Sequence, residues 1–438
     1  MMRKRNTLVL IGIISISTLG FGQDTLAISK NSIVQKVKDK NLQLQIANQV
    51  FKSAQADYRQ SNALFLPTIL ASHTAFSTTN PLMAFGSKLN QEVLTASDFN
   101  PALLNNPAAT QNYATKIEVL QPIINVDGWY GRQAARSKME AFQLQSQRTT
   151  EYLTLEVNKS FMQLQLAYKA VAVLEKANAT AKANLKLVEN YFNQGILQKT
   201  DLLSVQVRVS EVQNQLHYAK SNVLNASDYL AFLLNEDNTN KVYKPLEVLD
   251  NTISVSSSNS TLSGNRKDIL AMDKSCEAYA KMYQSSKMNF LPTLNAFGSY
   301  EMYDQTLFGT RAQGYLVGAQ MAWKVFDGYK TIAKIEKANA DYQKAKVESQ
   351  EYKLQSQLEY NKTNRQLKDA ENKVILEKLA LEQSEEAYRI RINRFKQGLE
   401  KTTDLLQAET QMFQKELQLL QAVFEFDFTQ EYLQFLTN

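Results

Sequence analysis

Phe192-Asn193-Gln194-Gly195, followed by Ile196, Leu197, Gln198 and Lys199 and then by Thr200-Asp201-Leu202-Leu203, has a second copy in the same chain. Phe395-Lys396-Gln397-Gly398 is followed by Leu399 to Thr402 and then by Thr403-Asp404-Leu405-Leu406, at an offset of 203 residues. Each copy lies between two proline-free segments with helical spacing. A glycine just past a helix takes the left-handed conformation that ends it. A Thr-Asp pair then caps the next helix and sets a negative charge at its positive end. Each copy therefore reads as the tip of a helical hairpin. Two matched hairpins make the chain a two-fold repeat.

Composition agrees with long helices. The 438 residues include only 14 Gly and 7 Pro, and the runs 132–194 and 329–397 contain neither. As continuous helix these runs extend roughly 95 and 100 Å at about 1.5 Å per residue, too long for a globule, so they must run side by side as a coiled bundle. The net charge of +6 is spread with both signs interspersed, and three of the positive charges are Arg3, Lys4 and Arg5. No basic stripe for nucleic acid is present. The single cysteine, Cys276, excludes an intramolecular disulfide, and His73 and His217 are the only histidines. No metal motif, Ser/His/Asp arrangement or phosphate loop can be assembled, so no catalytic residue, metal or cofactor is expected.

Residues 1–22 read as an export signal: a basic head, an apolar stretch from Leu8 to Leu19, and small residues before a cut at Gln23. With no cysteine near the cut, a lipid anchor there is not expected. The first repeat is then 23–234, a polar connector with a serine-rich run (Ser256 to Ser260) is 235–265, and the second repeat is 266–438.

Within the first repeat, Ile33, Val37, Leu44, Ala47, Phe51, Ala54 and Tyr58 give a helix over 28–60, which Phe65-Leu66-Pro67-Thr68 ends. The stretch 60–87 has no charged residue but carries Pro67, Pro81 and many Ser, Thr and Asn, which predicts an exposed strand and not a membrane helix. Residues 80–111, with three prolines, read as a long surface loop. Residues 113–120 alternate: Tyr113, Thr115, Ile117 and Val119 on one face, Ala114, Lys116, Glu118 and Leu120 on the other. A long helix starts at Asp127-Gly128 and runs to about Asn193; its partner returns from Asp201 to about Leu234.

The second repeat replays this order. A helix over 267–287 precedes Phe290-Leu291-Pro292-Thr293, a strand to about Tyr303, a short loop over 304–313 and an alternating segment over 315–325. Asp327-Gly328 starts the second long helix, whose partner ends near Leu436. The Phe-Leu-Pro-Thr copies are 225 residues apart and the Asp-Gly copies 200, so the first loop carries an insertion of 25 residues. The strands have the length and alternation that cross a bilayer with one lipid face and one water face. Four strands leave open edges, which lipid does not tolerate, so closure needs several chains: two give about eight strands and three about twelve.

This doubled order of helix, strand, loop, strand, long helix, tip and returning helix resembles the TolC-like outer membrane efflux proteins. The resemblance covers essentially the whole chain after residue 22. It implies a mainly α fold with membrane β: a homotrimeric twelve-stranded barrel, four strands per chain, continued by an α-helical coiled-coil barrel across the periplasm. It implies outer membrane lipid, a periplasmic adaptor and an inner-membrane pump as partners, and a passive exit duct as function. The family narrows its duct with carboxylates near the second tip. By position Asp404 matches the first and Gln407 stands where the second is expected, which weakens the negative ring. The family also pairs the first-tip Asp, here Asp201, with an Arg at the position of Glu400, followed here by Lys401.

Each of these residues has a plainer reading. Asp201 and Asp404 serve as helix-start residues, worth roughly 0.3–1 kcal/mol each. Gly195 and Gly398 reverse the chain. Leu197 and Leu399, apolar at an exposed tip, suit adaptor docking. Trp129, Tyr130, Trp323 and Tyr329 sit at strand ends and suit either an interfacial aromatic belt or ordinary packing. The competing function is a non-pore periplasmic coiled-coil protein, structural or adhesive; it has no need of paired amphipathic segments at matching places in both repeats.

Overall fold

The structure, a computed structural model, describes residues 24–237, 241–247 and 263–438. The expected export signal and the Ser256–Ser260 run lie outside the described residues.

In chain order the elements are β1 (Asp24–Ile28), α1 (Lys30–Lys40), α2 (Leu42–Gln60), β2 (Thr68–Thr78), α3 (Pro81–Asn90), α4 (Pro101–Asn105), β3 (Thr110–Ile124), α5 (Val126–Asn193) and α6 (Lys199–Leu234). They continue with β4 (Lys241–Pro245), α7 (Lys267–Met288), β5 (Thr293–Asp304), β6 (Ala312–Ala322), α8 (Lys330–Lys396) and α9 (Thr402–Thr437). The chain forms two units. One comprises Leu42–Tyr152, Ser257–Asn364 and Leu433–Asn438; the other comprises Met1–Asn41, Leu153–Ser256 and Arg365–Tyr432.

The first unit is built on a four-stranded antiparallel sheet in the order β2-β3-β5-β6. Its register sorts side chains by chemistry. Ala71 pairs with Ile117, Ile117 with Tyr300, and Tyr300 with Tyr315, which gives one continuous apolar face. Lys116 pairs with Glu301, and its Nζ lies 3.1 Å from Glu301 and 2.6 Å from Glu118 on the other face. Apart from Asp304 at the end of β5, these three are the only charged residues in the four strands. Register slips only at Pro122, which has no N–H to give the ladder.

Several boundaries depart from the sequence reading. Residues 80–111 are not a bare loop but carry α3 and α4, each opened by an Asn-Pro pair. Asn80 Oδ1 accepts from Met83 N at 3.2 Å and Asn100 Oδ1 from Ala102 N at 3.0 Å, with Pro81 and Pro101 as first helical residues. A proline there loses nothing, because its N–H position needs no partner. The charge-free stretch 60–87 splits into β2 and α3. β6 stops at Ala322, three residues short of Val325.

The two Asp-Gly pairs are not equivalent. In the first repeat Asn125 caps the helix by accepting from Gly128 N at 2.9 Å, and Gly128 lies inside α5, so close to Leu64 that an added Cβ would sit 2.7 Å from its Cδ2. In the second, Gly328 and Tyr329 both take left-handed backbone, with φ of 67° and 66°, ahead of α8. Asp327 then caps, accepting from Thr331 N at 3.2 Å and Thr331 Oγ1 at 2.6 Å.

The second unit packs α5 from Leu153, α6, α8 from Arg365 and α9 to Tyr432 through apolar clusters. One cluster joins Val173, Ala177, Val209, Val212, Met412 and Phe413; another joins Ala370, Val374, Ala422, Val423 and Phe426. It also holds a two-stranded parallel sheet of β1 and β4, which the sequence reading did not anticipate. Tyr243 anchors that sheet: its N donates to Ser227 Oγ at 2.9 Å and its OH to Glu236 at 2.7 Å. The helix expected over 28–60 breaks at Asn41, whose extended backbone separates α1 from α2 and whose Nδ2 donates to Leu233 O at 2.8 Å.

Candidate gate and docking surface at the hairpin tips

Both tips belong to the second unit, and the same backbone device makes each. Gly195 has φ of 75° and Gly398 has φ of 72°, the left-handed region where glycine carries no Cβ penalty. Ile196 N donates to Tyr191 O at 2.9 Å and Leu399 N to Arg394 O at 3.0 Å, the closing bond of a left-handed helix end.

The tips then diverge. At the first, α6 begins at Lys199, so Asp201 is its third residue and reaches back to accept from Gln198 N at 3.2 Å. Its carboxylate is a capping-box member. At the second, Glu400 takes the place of Leu197 and is held by two arginines of α8: Arg391 at 2.8 Å and Arg394 at 3.0 Å. Arg391 also stands 3.8 Å from Asp404, whose side chain is two-fifths exposed. The structure thus adds Arg391 and Arg394, which sequence spacing did not single out. Lys401 makes no ion pair among the described residues, and Asp201 accepts from the Gln198 N–H.

A closed apolar cluster joins the two tips. Val188, Val205, Phe395 and Leu405 are buried, with Leu197, Leu202 and Tyr191 packed against them, and Tyr191 OH donates to Lys396 O at 3.0 Å. Leu197 is therefore turned inward, and the expected outward leucine of the first tip is instead its neighbour. Ile196, 61% exposed, and Leu399, 62% exposed, are the matching pair directly after each glycine.

One turn beyond Asp404, Gln407 lines a groove of about 610 Å³ between α6 and α9, with Ser204, Val207, Gln411, Gln414 and Gln418. Beneath it lies a buried polar group that no sequence pattern announced. Glu409 accepts from Asn184 Nδ2 at 2.5 Å and Arg208 Nε at 3.3 Å, and Asn184 also donates to Tyr388 OH at 3.2 Å. Burial pushes the Glu409 carboxyl above its ordinary range, against the pull of Asn184 and Arg208. The four residues come from α5, α6, α8 and α9, so this set fixes the relative register of all four helices.

The aromatic candidates are in the first unit, at the end of the sheet where helices join. Trp129 and Tyr130 stack edge to face at 4.9 Å in the first turn of α5. Trp323, just past β6, donates Nε1–H to Phe290 O at 3.0 Å, and Tyr329 packs edge to face on Phe326 at 5.6 Å. Trp129, Trp323 and Tyr329 are exposed.

The sequence matches the profile of the family described as outer membrane efflux protein over residues 33–236 and 259–438. The chain belongs to that family, and the doubled hairpin and charge-sorted sheet are its fold. Among solved structures it is similar to CusC, at 15% identity over 93% of this chain and 92% of that one, with a TM-score of 0.80. VceC of Vibrio cholerae matches at 16% identity over 92% and 95%, TM-score 0.78. The CmeC outer membrane channel of Campylobacter jejuni matches at 14% identity over 93% and 85%, TM-score 0.80. No curated protein matches the sequence.

Proposed function

We propose that this chain is the outer membrane exit duct of a tripartite efflux or type I secretion system. Three copies close their four-stranded sheets into one barrel, and the hairpins form a passage through the periplasm to an adaptor and an inner-membrane pump. The duct has no energy source and performs no chemistry. The observation that carries this reading is the sheet. One face is apolar and exposed between Ile69 and Val317, the other holds Lys116, Glu118 and Glu301, and β2 and β6 leave unpaired edges that lipid forbids unless other copies cover them. Trp129, Tyr130, Trp323 and Tyr329 suit the inner boundary of the bilayer. Ile196 and Leu399 suit an adaptor hairpin.

Light scattering on the purified protein tests the reading. A trimer that needs detergent is expected. A monomer soluble without detergent returns the chain to a coiled-coil scaffold without a pore.

Asp404 is the gate residue in this reading, with Gln407 one turn away. Three Asp404 side chains around an axis raise cation affinity, and Arg391 beside each tempers the ring. Asp404→Ala is expected to raise single-channel conductance or to lower cation preference in planar bilayers. Unchanged conductance and selectivity remove Asp404 from the bore.

A further inference from the structure

The loop between β5 and β6 folds toward one side of the sheet, and a ring contact identifies the side. Phe308 lies against His73 of β2, ring centres 4.6 Å apart. His73 shares strand parity with Ile69 and Ala71, and it begins a row that continues through Thr115, Met302 and Gln313. That row belongs to the apolar face of Ile117 and Val317. The loop therefore covers the apolar face, away from Lys116 and Glu301.

This row is where that face stops being purely apolar. Toward the helices, β6 turns Tyr315, Val317, Ala319 and Met321 to the same side. At the row itself His73, Thr115 and Gln313 are polar, and their polar atoms turn to near neighbours. His73 Nδ1 and Thr115 Oγ1 share a hydrogen bond at 2.8 Å, and Tyr300 OH donates to Gln313 Oε1. His73 Nε2 is buried without a hydrogen-bond partner, on the ring that Phe308 covers. The next row outward holds Asp304, paired with Tyr113. Its carboxylate accepts from Thr306 N and Thr306 Oγ1, each at 2.8 Å, and from Arg311 N at 3.1 Å, so the first charge on this face is engaged in shaping the loop.

Self-paired polar groups are what a hydrocarbon boundary requires, since lipid offers no hydrogen bonds. The spacing agrees. From Gln313 to Trp323 is ten residues, about 34 Å of extended strand and roughly 26 Å along the membrane normal at a tilt of about 40°. The apolar band of a membrane barrel is about 25 Å tall between its aromatic girdles. At the outer limit of that band Leu307 is 60% exposed and Phe308 71%. Phe308 also takes left-handed backbone, with φ of 59°, which a bulky residue enters only where its surroundings hold it there. The bonds to Asp304 supply that hold.

We propose that the β5–β6 loop is an outward-folded membrane anchor. Leu307 and Phe308 seat among the acyl chains of the outer leaflet, and Phe308 shields His73 from them. The anchor rests on the reading of the chain as a membrane duct. It fixes the depth of the barrel from the outer side, opposite Trp323.

Spin-label accessibility tests it in the full-length protein, reconstituted in vesicles of palmitoyl-oleoyl phosphatidylcholine. Cys276 is replaced by serine, and Leu307→Cys and Val317→Cys are made singly in that background and labelled with a methanethiosulfonate nitroxide. Dissolved oxygen concentrates in the bilayer, whereas a nickel chelate stays in water. The label at 307 is expected to relax more with oxygen than with nickel, as is the label at 317 in the middle of the lipid face. Nickel ahead of oxygen at 307, with oxygen ahead at 317, overturns the anchor and leaves the duct standing. A label at 307 shielded from both reagents shows that a second copy covers the loop, which overturns the anchor as well. Nickel ahead at 317 strikes the duct reading itself.

Discussion

Replacing Asp268 by alanine is expected to destabilise the sheet-bearing unit by about 3–5 kcal/mol, the usual cost of breaking a buried ion pair from one side. Asp268 sits in the first turn of α7 and accepts two bonds from Arg266, at 3.0 and 2.6 Å, and one from Tyr352 OH at 2.6 Å. Arg148 Nε approaches to 3.5 Å. Both guanidiniums are nearly buried, and both tie down the end of α9. Arg266 donates to Leu436 O at 3.3 Å; Arg148 donates to Phe435 O at 3.0 Å and covers its ring at 3.6 Å. Without Asp268, Arg266 has no counter-ion and Arg148 keeps only Glu151, at 2.8 Å.

The same carboxylate makes stability depend on pH. Burial alone would raise its pKa, but the bonds from Arg266 and Tyr352 and the charge of Arg148 outweigh burial and bring it down to about 2. A depressed carboxyl stabilises above its unfolded pKa, near 4, and loses that contribution as pH falls through the folded value. About 2 kcal/mol is therefore expected to disappear between pH 4 and pH 2. Thermal unfolding in detergent across that range measures it, with Asp268→Asn as the flat reference. A loss under about 1 kcal/mol on Asp268→Ala refutes the ion-network account, because it requires that water replace the carboxylate.

Phe395→Ala is expected to cost about 3–5 kcal/mol, as for a fully buried aromatic side chain cut back to a methyl group. Phe395 is almost completely buried and lies beside Tyr191 of the first tip, ring centres 5.9 Å apart, so its loss loosens both tips together. Phe192, its counterpart in the repeat, is only half-buried and its replacement is expected to cost much less. Hydrogen exchange read separately over 185–205 and 388–409 distinguishes the cases. Loss of protection confined to the second tip shows that the two tips do not support each other.

The long helices and strands were legible because their signals are local: absence of glycine and proline, alternation, and a glycine where a helix ends. What escaped the sequence depends on a partner. β1 and β4 are five residues each and pair across more than two hundred residues, and Lys241–Pro245 ends in a proline that reads as connector. Asn80-Pro81 and Asn100-Pro101 read as loop residues in isolation, although the same pair opens a helix when the asparagine caps. Leu197 and Ile196 are equally apolar neighbours, and only the facing hairpin decides which turns inward. Glu409 is one of many glutamates on a long helix; its burial follows from Asn184 and Arg208 arriving from other helices.

The Asp-Gly pair shows how an internal duplication can keep its letters while exchanging its reasons. Gly128 is confined by volume, since Leu64 leaves no room for a methyl group, whereas Gly328 has open space around it and is confined by its dihedral angle. Asparagine, which tolerates the left-handed region, suits position 328 and clashes at 128. A substitution profile averaged over the two halves would therefore merge a steric rule with a torsional one and describe neither site.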